Sequence, residues 1–125
     1  MIGKLDAIAL DCPDPRALAA FYGEILGISV AEDSEDEWVE LTGPGSAGGD
    51  RPVLAFQKVE GYRAPEWPGQ LVPQQFHLDI RVDSLDEGEK AVLALGATAT
   101  GEHYATWRVY LDPVGHPFCL VSSNG

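Results

Sequence analysis

His77 and Asp79 are the pair whose types and spacing most directly suggest chemistry. They flank Leu78 in Phe76-His77-Leu78-Asp79-Ile80-Arg81-Val82, where large apolar residues fall at every second position. Side chains two apart on a strand share a face. An imidazole and a carboxylate therefore stand side by side, and such a pair favours the charged ring and makes it usable as an acid or base. His77 is the candidate acid/base and Asp79 the group that orients it. The plainer alternatives are that His77 closes a hydrogen-bond network in a filled core, and that Asp79 pairs with Arg81 or with a solvent-facing Lys. Cys119 is a candidate nucleophile only if a base adjoins it, and His77 is the one base the sequence offers; a buried, inert thiol is the simpler reading. His103 falls in the segment 101–106, which reads as a surface loop. His116, between Gly115 and Pro117, sits where a histidine serves turn geometry. Tyr62, Trp67 and Trp107 either form a lid that stacks on a planar ligand or staple the neighbouring loop to the fold.

The chain that must position these groups has 125 residues, with 8 Lys+Arg against 20 Asp+Glu and a net charge of −12. This acidity argues against nucleic acid, whose phosphates are held by Lys and Arg. It leaves proteins and small molecules as partners, cations favoured. A composition 45% hydrophobic and 22% charged is that of a soluble globular domain. No apolar run approaches the roughly 20 residues needed to span a bilayer, and no secretory leader pattern opens the chain, so a cytoplasmic location and no membrane partner are expected. Cys12 and Cys119 are the two cysteines, and no Cys-x-x-Cys pair exists. That suits a reducing compartment and excludes zinc ribbons and thioredoxin-like motifs.

Periodicity supplies the scaffold. Ile8, Leu10 and Cys12 alternate as a strand; Asp14 before Pro15 predicts a helix start, and Leu18, Phe21, Tyr22, Ile25 and Leu26 make one stripe of a helix over about 15–26, ended by Gly27. Strands follow over 28–30, 38–41 and 52–59, with a glycine-rich loop at 43–49. The segment 60–75, with Pro65, Pro68 and Pro73, has no periodicity and reads as a linker or lid. The pattern then restarts: a strand over 76–82, a helix over about 85–95 capped by Ser84 and ended by Gly96, a short strand near 97–100, and strands at 107–111 and 118–122. Ile8, Leu10 and Cys12 correspond to Leu78, Ile80 and Val82 at an offset of 70, and Gly27 to Gly96 and Trp38 to Trp107 at 69. Each half reads β-α-β-β-β, giving a module of about 1–59, the 60–75 segment, and a second module of about 76–125 within a single domain. If the apolar rows pack under the helices, Ala7, Ala9 and Asp11 share the opposite face of one module, and His77, Asp79 and Arg81 that of the other. Cys12 and Cys119 then lie in different environments, against a disulfide.

Leu10-Asp11-Cys12-Pro13-Asp14-Pro15, Phe21-Tyr22, Leu26-Gly27, Gln75-Phe76-His77-Leu78-Asp79, Leu95-Gly96-Ala97 and Asp112-Pro113-Val114-Gly115-His116-Pro117-Phe118, in this order, resemble the vicinal oxygen chelate superfamily. It includes glyoxalase I, bleomycin-resistance proteins, fosfomycin-resistance enzymes and extradiol dioxygenases; the likeness is strongest to glyoxalase-like proteins common in actinobacteria. The resemblance covers nearly the whole chain. It implies an α+β fold of two βαβββ modules forming a curled sheet with a central cleft, and a homodimer. It also implies a divalent metal held by one residue from the first and one from the last strand of each module. Carried onto this chain, those positions are Ala7, Gln57, His77 and Cys119.

Ala7 has no donor atom, and an amide, an imidazole and a thiol suit a hard cation such as Mg²⁺ poorly. A softer ion could use His77 and Cys119, with Gln57. The resemblance therefore points first to a metal-independent protein that binds, and sequesters, a toxic or aromatic small molecule, with no cofactor. Gln57, His77, Asp79, Cys119, Tyr62, Trp67 and Trp107 would line its site. Acidic bleomycin-resistance proteins bind in this way, and the run Glu32-Asp33-Ser34-Glu35-Asp36-Glu37 reads either as a solvated turn or as a device steering a cationic ligand. The alternatives are a metal-dependent lyase or dioxygenase with unconventional ligands, and a filled cleft that serves only protein association.

Overall fold

The computed structural model describes residues 1, 5–32, 34–42, 52–67, 69–74 and 76–122. The glycine-rich loop 43–49, Asp33, Pro68 and Gln75 lie outside the described residues. The chain divides into two compact units, Met1–Tyr62 and Arg63–Gly125.

In the first unit, β1 (Ala7–Cys12), α1 (Pro15–Leu26), β2 (Ser29–Val30), β3 (Trp38–Thr42) and β4 (Val53–Lys58) follow one another along the chain. The sheet order is β1-β4-β3-β2, with β1 and β4 parallel and the other pairs antiparallel. Alternation sets its facing: Leu10 and Cys12 are buried, whereas Ala9 and Asp11 are exposed. Asp14 caps α1, its Oδ1 accepting from the Ala17 N–H at 3.3 Å, and Pro15 supplies a first-turn φ that needs no N–H partner. The helix ends at Gly27, whose φ of 68° is the left-handed conformation that glycine adopts without a Cβ penalty. Tyr22 packs between Phe21, edge-on at 4.9 Å, and Phe56, stacked at 5.8 Å. The acidic turn is tied to this helix, since Arg16 bonds Asp36 at 3.0 Å and the Ser34 carbonyl at 2.9 Å.

The second unit repeats the plan with β5 (Leu78–Arg81), α2 (Leu85–Ala94), β6 (Thr98–His103), β7 (Trp107–Leu111) and β8 (Pro117–Val121), in the order β5-β8-β7-β6 with β5 and β8 parallel. The α+β fold of two duplicated β-α-β-β-β units, each with an open four-stranded mixed sheet, is thus the one the periodicity implied. Ser84 Oγ accepts from the Glu87 N–H at 3.2 Å to start α2, and Asp86 and Glu87 place negative charge at its positive end. Tyr110 stacks on Phe118 at 5.7 Å in the core. Asp112 is buried because its Oδ1 accepts from the N–H groups of Val114, at 2.9 Å, and His116, at 3.0 Å, closing the turn that feeds β8.

Several expected boundaries move. The strand expected over 76–82 begins at Leu78, leaving His77 just before it, and α2 stops at Ala94 with Leu95 as its cap. The strand expected near 97–100 runs on to His103, so His103 ends an edge strand opposite Arg108 instead of lying in a loop. All six residues of β6 are exposed, and the ladder shifts register between Ala99 and His103. An exposed edge strand needs no apolar alternation, which is why periodicity does not mark its second half.

Candidate functional site

The second unit gathers the predicted acid/base pair with a thiol. Strands β5 and β8 pair in parallel with Asp79 opposite Cys119, so both side chains point to the same face. That face lies opposite α2, because Leu120, the neighbour of Cys119, is the residue packed toward the helix near Gly88. His77 Nε2 lies 3.2 Å from Asp79 Oδ1. The ligand atoms of His77, Asp79 and Cys119 all fall within 4.8 Å of one another. Their depths differ: Cys119 is fully buried, His77 half-buried, and the Asp79 side chain 60% exposed. Asp79, the most exposed of the three, therefore links a half-buried imidazole to a covered thiol.

The thiol is held neutral. Burial, and then the charge and hydrogen-bond acceptance of the Asp79 carboxylate, push Cys119 up to about 11 from its ordinary 9.0. A low-dielectric site disfavours the thiolate, and a carboxylate accepting the S–H disfavours it further. Cys119 in this setting is an S–H donor, and the activated nucleophile is not formed.

Above the pair, the Trp67 indole stacks on the His77 ring, with centroids 5.0 Å apart and planes 23° from parallel. Trp67 thus lays an aromatic face on the candidate acid/base. Trp107 stacks instead on Tyr104, at 4.0 Å and 18°. Trp67, Tyr104 and Trp107, with Glu102 and Val109, line a recess of about 80 Å³. Tyr104 and Glu102 were not marked by the sequence pattern; the signal available was the Tyr104-to-Trp107 spacing across a turn, which the Tyr104 N–H closes on the Trp107 carbonyl at 2.8 Å.

Gln57, on β4 of the first unit, is exposed and donates from Nε2 to Asp11 Oδ1 at 3.3 Å. Tyr62 closes the first unit and is half-buried. His116 belongs to the Asp112 turn. Both cysteines are free thiols, and Cys12 donates to the Gln57 carbonyl at 3.6 Å. A second polar cluster went unpredicted: Arg108 reaches Asp86 at 2.8 Å and Glu89 at 3.5 Å, while Tyr110 donates to Glu89 at 2.9 Å. Burial, then the Glu89 carboxylate, pushes the Tyr110 hydroxyl up to about 12. The Asp86 carboxylate is the leading cause holding the Arg108 guanidinium above its usual value.

These features define the class. The chain belongs to the glyoxalase-like domain family, whose model matches residues 7–121, and with it to the vicinal oxygen chelate superfamily. No curated protein matches the sequence. Among solved structures, the chain is similar to a glyoxalase/bleomycin resistance protein/dioxygenase family enzyme from Burkholderia phytofirmans PsJN, with 20% identity, TM-score 0.69, and 96% of this chain and 98% of that one covered. A glyoxalase-related enzyme from Fulvimarina pelagi gives 20% identity, TM-score 0.67 and coverage of 98% and 89%. Oxidase ChaP-H2 gives 18% identity, TM-score 0.64 and coverage of 98% and 94%. At these identities the likeness is one of fold.

The family's divalent metal can be tested against the donors present. Ala7 carries none. Register adds a second gap: Asp79 stands opposite Cys119, and the corresponding pair in the first unit is Ala9 opposite Ala55, so an alanine occupies the place in β4 that Cys119 occupies in β8. Gln57 lies two residues further, its amide turned to Asp11. The first unit thus offers no free donor at either repeat-related position, and a hard cation wanting six oxygens does not fit this set.

Proposed function

We propose that this glyoxalase-like protein binds a planar small molecule on the sheet face of its second unit that carries His77, Asp79 and Cys119, beside Trp67, without the family's metal. The observation that supports this most is the engagement of His77 Nε2 by Asp79 at 3.2 Å, combined with alanine at both repeat-related positions of the first unit. An imidazole with a carboxylate partner is equipped to exchange a proton with a bound molecule, and an adjoining indole gives an aromatic ligand something to stack on. His77 is then the group that moves a proton and Asp79 the one that orients it. Cys119, buried and donating its S–H to Asp79, holds that carboxylate from below. Sequestration of an aromatic compound needs only the stacking and hydrogen-bonding parts of this arrangement.

Catechol, a planar ring with two hydroxyls able to reach a carboxylate, is a suitable probe. Saturable quenching of tryptophan fluorescence, weakened about tenfold by Trp67→Ala and by Asp79→Asn, is expected. Binding indifferent to both substitutions would remove this face as the site.

One observation favours a second reading. His77, Asp79 and Cys119 present N, O and S atoms within 4.8 Å, the number of protein ligands a catalytic zinc site uses. In that case a zinc ion would be held by these three residues in one unit alone, with the Cys119 proton displaced, and would supply the Lewis acidity that lyase chemistry uses; dioxygenase chemistry would require a redox-active ion in its place.

A further inference from the structure

We infer that the recess formed by Trp67, Tyr104, Trp107 and Glu102 is a subsite for an alkylated ammonium head group. The inference rests on the reading of this sheet face as a ligand face, and adds the charge and size of one end of the ligand.

Three aromatic side chains and one carboxylate converge on a space of about 80 Å³ floored by Val109, which is buried. The space is well short of the roughly 300 Å³ at which pockets begin to enclose drug-sized ligands, so it suits a small group at one end of a ligand. Aromatic faces attract cations through the ring quadrupole, indole most strongly, and aromatic surroundings suit a weakly hydrated alkylammonium better than a small metal ion that requires several oxygens.

Glu102 sets the sign. Among the described residues no Lys or Arg lies within ion-pairing distance of its carboxylate: Arg108, the cation of the adjoining strand, is engaged by Asp86 and Glu89. The Glu102 Oε2 accepts instead from the Tyr104 hydroxyl at 3.4 Å, which draws the carboxylate to the aromatic wall. An apolar guest would cover a carboxylate without compensating its charge, and an anion would be repelled. A net charge of −12 raises the local concentration of cations around the whole chain.

Choline and its neutral isostere 3,3-dimethylbutan-1-ol separate charge recognition from shape. With the full-length, chelator-treated chain, choline is expected to shift the indole N–H resonances of Trp67 and Trp107 saturably, with the isostere at least about tenfold weaker. Trp107→Ala is expected to weaken choline about fivefold. Glu102→Gln alters an exposed side chain outside the core and is expected to weaken it about threefold, with a shallower salt dependence. Equal affinity for the two probes, or choline binding untouched by both substitutions, would overturn the inference. A stoichiometric metal at His77 would overturn the metal-free reading above and leave this subsite standing, so the two failures are distinguishable.

Discussion

Replacing Asp79 by Asn should release the Cys119 thiol part of the way toward ordinary acidity. With its titration pushed from 9.0 to about 11, the thiol is about 1 part in 1,000 thiolate near pH 8, against about 1 in 10 for an ordinary cysteine. Because the thiolate is the species that reacts, alkylation of Cys119 by iodoacetamide should run about 100-fold below that expected of an unperturbed thiol, before any loss from restricted access. Asn at position 79 removes the negative charge, whereas burial, the larger cause, stays. The alkylation rate, followed peptide by peptide by mass spectrometry to separate Cys119 from Cys12, should therefore rise clearly in Asp79→Asn yet remain below the unperturbed rate. The same shift has a stability consequence. The folded chain keeps this proton to about pH 11, while the unfolded chain releases it near 9.0, so stability present below pH 9 is lost as pH rises through that window, by at most about 3 kcal/mol. The difference in alkaline unfolding between the native sequence and Cys119→Ser isolates this contribution from that of Tyr110. Rapid alkylation of native Cys119 near pH 8, or no acceleration in Asp79→Asn, would refute the coupling of thiol and carboxylate.

Other expectations concern the scaffold. Phe118→Ala removes a fully buried ring stacked on Tyr110 and should cost about 3–5 kcal/mol, read as a lowered denaturation midpoint. Gly115→Ala should cost about 1–3 kcal/mol, since φ is +96° there and a Cβ would meet the Ala64 Cβ at 2.6 Å; a neutral result would remove the close approach of Ala64 to the turn before β8. Asp14→Ala and Ser84→Ala should each lower stability by about 1 kcal/mol, and Asn at either position should restore most of it.

Much of the fold was legible because the determinants are local. Alternation at Leu10 and Cys12, the Asp14 cap and the Gly27 stop each act within a few residues, and offsets of 70 and 69 bring their counterparts into the second unit. His77 and Asp79 were recognisable as neighbours for the same reason, since two-residue spacing fixes a face. What joins Cys119 to them is the pairing of β5 with β8, a register set between residues forty apart, and no local pattern encodes it. The register of β4 likewise decided that Ala55, and not Gln57, is the counterpart of Cys119. Tyr104 and Glu102 were missed because β6 is exposed throughout and leaves no apolar period to follow. The Arg108, Asp86 and Glu89 cluster joins a strand to a helix, which charge spacing along the chain does not reveal.

The most direct test is the metal content of protein purified without chelator, measured by mass spectrometry alongside His77→Ala. A trace level that His77→Ala leaves unchanged is predicted; an ion present at the concentration of the chain, and lost on that substitution, would contradict the proposal that this face works without a metal.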